Sequence, residues 1–152
     1  VKLLITGYND VNGSNGNNHM TLKEYVNQEG IDSTGSKCTP LMIAAQNEHF
    51  QLVKYLIEHC EADPNIARRE YGYGYNALHL AASYNKKNTK VIKLLLTNMS
   101  LNSINKKIRG LATPLDWAYG YNRSSIKQKI IDLLHSKGGE ANCHDENGEW
   151  VG

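Results

Sequence analysis

The chain has 152 residues, of which 40% are hydrophobic and 21% charged, with 17 basic against 15 acidic side chains and a formal charge of +2. That length corresponds to about one domain with a core of its own, and the balance excludes a disordered polyelectrolyte and a strongly basic nucleic-acid binder. Cys38, Cys60 and Cys143 form no CxxC pair, so free thiols in a reducing, cytoplasmic setting are expected, and the longest apolar runs fall far short of the ~20 residues that cross a bilayer.

Residues 1–38 read as an irregular N-terminal cap or partial repeat. Its first part, 1–19, is either a truncated repeat or a linker left by cloning, since His19-Met20 is a common cloning junction. Residues 21–28, Thr-Leu-Lys-Glu-Tyr-Val-Asn-Gln, predict a helix that leaves through a turn at Gly30-Ile31-Asp32. Three similar units follow, at 39–75, 76–112 and 113–152. They open with Thr39-Pro40-Leu41-Met42-Ile43-Ala44-Ala45, Asn76-Ala77-Leu78-His79-Leu80-Ala81-Ala82 and Thr113-Pro114-Leu115-Asp116-Trp117-Ala118, with starts 37 residues apart (39, 76, 113). Each opening is followed by a second apolar run, and these begin at Leu52, Val91 and Ile130, 39 residues apart.

The residue types explain the units. Thr39 and Thr113 can cap free helix N–H groups, and Pro40 and Pro114 suit the first helical turn, where a missing N–H costs nothing. The Ala44-Ala45 and Ala81-Ala82 pairs let helices approach closely. The second runs, with Leu52, Tyr55 and Leu56 at helical spacing, predict broader amphipathic helices. Turns at 60–65 and 138–142 close the first and third units, the latter with glycine to supply a left-handed helix end. Insertions at 85–88 and 120–125 are expected to lengthen the inter-helix loops, and 145–150 reads as the turn that opens a further unit.

These openings resemble the ankyrin repeat family, whose unit of about 33 residues combines a turn with two helices and carries a T-P-L-H-x-A signature. Met42 and Asp116 stand where the motif has histidine, His79 keeps it, and Asn76-Ala77 replace Thr-Pro. The resemblance spans roughly residues 30–150. It implies an all-α solenoid of stacked antiparallel helix pairs joined by extended turns, and a non-enzymatic module that binds another protein through inner helices and turn tips.

By the repeat register, the exposed inner-helix positions are Gln46 and Asn47, then Ser83 and Tyr84, then Tyr119 and Tyr121. The turn before the second unit adds Arg68 and Arg69, with Tyr71, Tyr73 and Tyr75 alternating with glycines; Tyr and Arg are the types most enriched at binding hot spots. These rings either face a partner or pack across neighbouring turns. Lys106, Lys107 and Arg109 form a second basic tip. His59-Cys60 and Cys143-His144 lack zinc-site spacing, and no nucleophile stands in a known catalytic context, so no catalytic residue, cofactor or metal is assigned. The expected partner is a protein, not a membrane or nucleic acid, and the chain is expected to be a monomer. The alternatives are the targeting fragment of a larger enzyme or secreted effector, acting in host cytosol, and a purely structural part that self-associates through its ends.

Overall fold

The computed structural model describes residues 20–31, 35–68, 74–109 and 111–151. The partial repeat read at 1–19, the Asp32 end of the first turn, and Arg69, Tyr71 and Tyr73 lie outside the described residues. Eight helices occur among the described residues: α1 (Leu22–Val26), α2 (Pro40–Gln46), α3 (Phe50–Cys60), α4 (Ala77–Tyr84), α5 (Lys90–Asn98), α6 (Leu101–Ile104), α7 (Pro114–Tyr121) and α8 (Lys127–Ser136). A two-stranded antiparallel sheet, β1 (Gly30–Ile31) and β2 (Lys37–Cys38), pairs Gly30 with Cys38 and Ile31 with Lys37.

The helix starts follow from their caps. The Thr39 hydroxyl accepts from Met42 N and the Thr113 hydroxyl from Asp116 N, each with proline in the first turn. Asn76 does the same with its amide oxygen, which accepts from Leu78 N and His79 N. The capping box at Thr21 and Glu24 starts α1. Burial of α2 (Leu41, Met42, Ala44, Ala45) and α4 (Leu78, Ala81, Ala82) is nearly complete because each lies against the helix of the next unit.

Two rows of helix contacts result. In one, α2 packs on α4 and α4 on α7; in the other, α1 packs on α3, α3 on α5 and α5 on α8. Within each unit the two rows meet, α2 with α3, α4 with α5 and α7 with α8, and the core lies between them, around Leu56, Leu78, Ile92, Leu95, Leu115, Ile130 and Leu134. The first helix, α1, belongs to the outer row. After α8, Gly138 takes the left-handed conformation at φ 80°.

Polar side chains carry the register from unit to unit. Asn27, Asn65 and Asn105 each reach the loop of the following unit: Asn27 Oδ1 accepts from Asp63 N at 2.7 Å, Asn65 Oδ1 from Ser100 N at 2.8 Å, and Asn105 Oδ1 from Glu140 N at 2.8 Å. On the inter-helix side, the Glu48 carboxylate accepts from Lys87 N at 2.9 Å, while buried Asn122 donates to Ala82 O at 2.7 Å and Asn85 O at 3.1 Å. The second and third inter-helix loops, 85–89 and 122–126, are longer than 47–49, as the insertions predict. Gly120 and Tyr121 are an exception, because α7 runs through them instead of ending in a loop.

Candidate partner-binding groove

Among the described residues, four short antiparallel pairings precede or follow the inner helices as fingers: β1/β2, the Ala67–Asn76 bridge, the Ile108–Ala112 bridge and the His144–Trp150 bridge. The last two enclose a groove of about 450 Å³ over α7, lined by Arg109, Leu111, Trp117, Tyr121, His144 and Trp150 among others. The floor arises from helical spacing, which turns Leu115, Asp116 and Ala118 into the protein and leaves Trp117 and Tyr121, four residues apart, on the opposite side. The Trp117 ring meets the edge of Tyr121 at 5.5 Å and of His79 at 5.4 Å, and lies 6.0 Å from Tyr75. Three large apolar side chains around the groove stay in water: Leu111 is 59%, Tyr121 66% and Trp150 65% exposed.

The walls are held by backbone and by one carboxylate. Ile108 N donates to Ala112 O at 2.8 Å, and Arg109 takes a left-handed φ of 50° to turn the chain. In the last finger, Asp145 N donates to Glu149 O and Val151 N to Cys143 O. Asp116 ties this finger to α7. Its buried carboxylate accepts from Thr113 N (2.8 Å), Thr113 Oγ1 (2.9 Å), Asn142 N (2.9 Å), Cys143 N (2.8 Å) and His144 Nδ1 (2.9 Å). Burial pushes its pKa upward, but the donors from Thr113, His144, Asn142 and Cys143 outweigh that and hold the group below the ordinary carboxylate value.

Tyr119 sits under the same finger. Its ring stacks on His144 at 5.4 Å, its hydroxyl lies 3.2 Å from His135 Nε2, and burial pushes its pKa up. Gly148 passes directly over that ring at φ 77°, and a Cβ placed there would lie 2.7 Å from it. Gly148→Ala should therefore cost about 1–2 kcal/mol in urea unfolding, combining left-handed strain with the ring contact. Loss below about 0.5 kcal/mol would mean that the finger does not close on Tyr119.

The positions expected to face a partner divide. Tyr121 and Arg109 line the groove, and Lys106 and Lys107 are exposed beside it, with Lys107 Nζ donating to Asn142 Oδ1 at 2.6 Å. Asn47 and Tyr84 are exposed at the ends of α2 and α4, away from the groove lining, and Gln46 is half-buried. Ser83 does not fit the expected exposure: it is 6% exposed, because α4 is covered on both sides by α2 and α7. Tyr119 departs from it too, being half-buried beneath the last finger.

Arg68 and Tyr75 turn toward one another, with Arg68 Nη1 donating to Tyr75 Oη at 2.8 Å and the guanidinium 5.3 Å from the ring. The Tyr75 hydroxyl also lies 3.7 Å from Cys38 Sγ on β2, so this ring packs across neighbouring turns. Burial and the nearby Cys38 thiol push its pKa up to about 12. Sequence reasoning did not place Leu111, Trp117, His144 and Trp150 at a site. The two tryptophans were a usable signal, since Trp117 stands in the opening of the third unit and Trp150 in the turn that follows it.

Serially packed helix pairs with a finger before each inner helix define a helical repeat solenoid. A family model described as ankyrin repeats, in three copies, matches residues 1–108, so the chain belongs to the ankyrin repeat family. The match takes in residues 1–38 and ends at the finger 108–112; the α7/α8 unit and the last finger lie beyond it. Ankyrin repeats are in general protein–protein interaction modules and typically non-catalytic. No described helix is long and apolar enough to cross a membrane, and no group of three or more His, Cys, Asp or Glu among the described residues could hold a metal ion.

Proposed function

We propose that this chain is a non-enzymatic interaction module, a stack of antiparallel helix pairs that seats a segment of a partner protein in the groove over α7. The observation that carries this reading is the exposure of Leu111, Tyr121 and Trp150 around one concavity. Large apolar side chains gathered in one place, not scattered singly, are the mark of an interaction surface. Trp and Tyr supply much contact area for few frozen torsions, which makes Trp150 and Tyr121 the anchors. Asn47, Tyr84, Lys106 and Lys107 extend the contact along the inner row and its tips. The same reading keeps the expectation of a cytoplasmic monomer.

A photo-crosslinking side chain at Leu111 tests this against one at Glu58, which is exposed on α3 in the outer row. A partner protein captured from lysate should crosslink from Leu111 and not from Glu58, and the Tyr121→Ala, Trp150→Ala pair should weaken its binding by about tenfold or more. Crosslinks from Glu58 alone would move the site to the outer row.

A further inference from the structure

The two lips of the groove carry opposite charge. One lip, 106–112, has Lys106, Lys107 and Arg109 and no acid; the other, 143–151, has Asp145, Glu146 and Glu149 and no Lys or Arg. Lys106, Lys107, Arg109, Glu146 and Glu149 are all exposed. Each lip also brings one exposed apolar side chain, Leu111 on the basic side and Trp150 on the acidic side. Between them the floor offers the rings of Trp117 and Tyr121. The floor's own carboxylate, Asp116, already accepts from five donors, so it presents little to a ligand.

The bases of the lips are joined to each other and to the floor. The Lys107 ammonium is turned to Asn142, and the acidic finger is anchored to α7 through Asp116. A segment lying across the groove therefore runs from the basic lip, where Arg109 lines the cavity, over the Trp117 and Tyr121 rings to the finger that bears Glu146 and Glu149.

We infer that the groove selects an extended peptide segment of another protein that carries an acidic residue and a basic residue on opposite sides of a bulky apolar anchor, the acidic end lying on the 106–109 lip. This rests on the reading of the groove as the partner site. Its physical basis is a division of labour: the desolvated anchor supplies affinity, whereas exposed charges mainly fix orientation and reject wrong partners. A segment flanked by two acids or two bases meets one repelling lip in either direction.

The test is a random dodecapeptide display selection on the full chain, followed by binding of the enriched peptides as synthetic probes. Enriched peptides should place acidic and basic residues on opposite sides of an aromatic or leucine anchor. A lip-reversed variant (Lys106→Glu, Lys107→Glu, Arg109→Glu, Glu146→Lys, Glu149→Lys) keeps the net arrangement of opposite lips but inverts it. It should still bind such a peptide when the acidic and basic flanks are exchanged, while losing about tenfold for the original order.

Enriched peptides without paired opposite charges, or binding within about twofold of wild type for the original order, would overturn the charge rule and leave the groove reading standing. Peptides indifferent to Tyr121→Ala and Trp150→Ala, or recovery of no peptide, would overturn the groove reading and the charge rule with it.

Discussion

Asp116→Ala is expected to lower the unfolding free energy by about 3 kcal/mol, well above the ~1 kcal/mol of a lost helix cap. The excess comes from the other end of the carboxylate. Its removal takes the acceptor from the N–H groups of Asn142 and buried Cys143 and from the His144 ring, and an unsatisfied buried donor costs about 1–3 kcal/mol. Asp116→Asn keeps the volume but turns an amide N–H₂ toward donors, so it should recover only part of the loss. The measurement is urea unfolding beside amide hydrogen exchange. Cys143 and Val151 amides, the latter bonded to Cys143 O, should exchange faster than the core well below the unfolding transition. A loss near 1 kcal/mol with unchanged exchange at Cys143 would show that Asp116 acts only as a cap. The pH sign is fixed by the lowered pKa. This contribution is present above the ordinary value of 3.8 and is lost as pH falls below it through the folded value.

The parts of the fold that were legible in the sequence are those governed by short-range chemistry. Thr39-Pro40 and Thr113-Pro114 begin α2 and α7 because capping and proline geometry act within three residues. The apolar runs at 52–57, 91–96 and 130–134 fall inside α3, α5 and α8 because burial needs one apolar stripe per helix. Residues 145–150 form a turn, as expected, closed by Gly148 N to Asp145 O.

What was not legible depends on contacts between units. The helix α6 lies where no element was assigned; Ser100 caps a single turn there, with Ser103 N donating to its hydroxyl, and Asn65 from the preceding unit holds Ser100 N. The role of Asn27, Asn65 and Asn105 is set by residues 33 to 36 positions away, a distance that local pattern does not reach. Ser83 followed the register of an exposed inner-helix position, but the flanking helices cover it. The groove itself was half legible: tyrosines and basic tips were singled out, yet the two tryptophans that frame it were not. Their importance comes from the last finger folding back over α7, a contact that local periodicity does not encode.

Acidification from pH 6.5 to 4.5 is expected to destabilise the protein by about 2–3 kcal/mol through His79 alone, at the ~1.4 kcal/mol per pH unit set by one proton bound on unfolding. The ring is fully buried between α4 and α7, edge-on to Trp117, with Nδ1 3.2 Å from Asn76 N and 2.9 Å from Asn76 Oδ1. Its Nε2 lies by the backbone of Ala112 and Lys106 without a well-formed hydrogen bond. Burial is the main cause that lowers its pKa from 6.5 to about 3. The unfolded chain therefore binds a proton below pH 6.5 that the folded chain refuses until about pH 3. Stability is full above the first value and declines with falling pH until the second. His79→Gln isolates this term, since glutamine three residues after the Asn76 cap can still accept from its N–H in a capping-box arrangement but does not titrate. Thermal or urea unfolding of both proteins between pH 7 and 4.5 should show a steeper decline for the wild type by about 1 kcal/mol per pH unit or more. Parallel profiles would mean that the folded protein accepts the proton at His79, and that the contact between the second and third inner helices opens enough to solvate it.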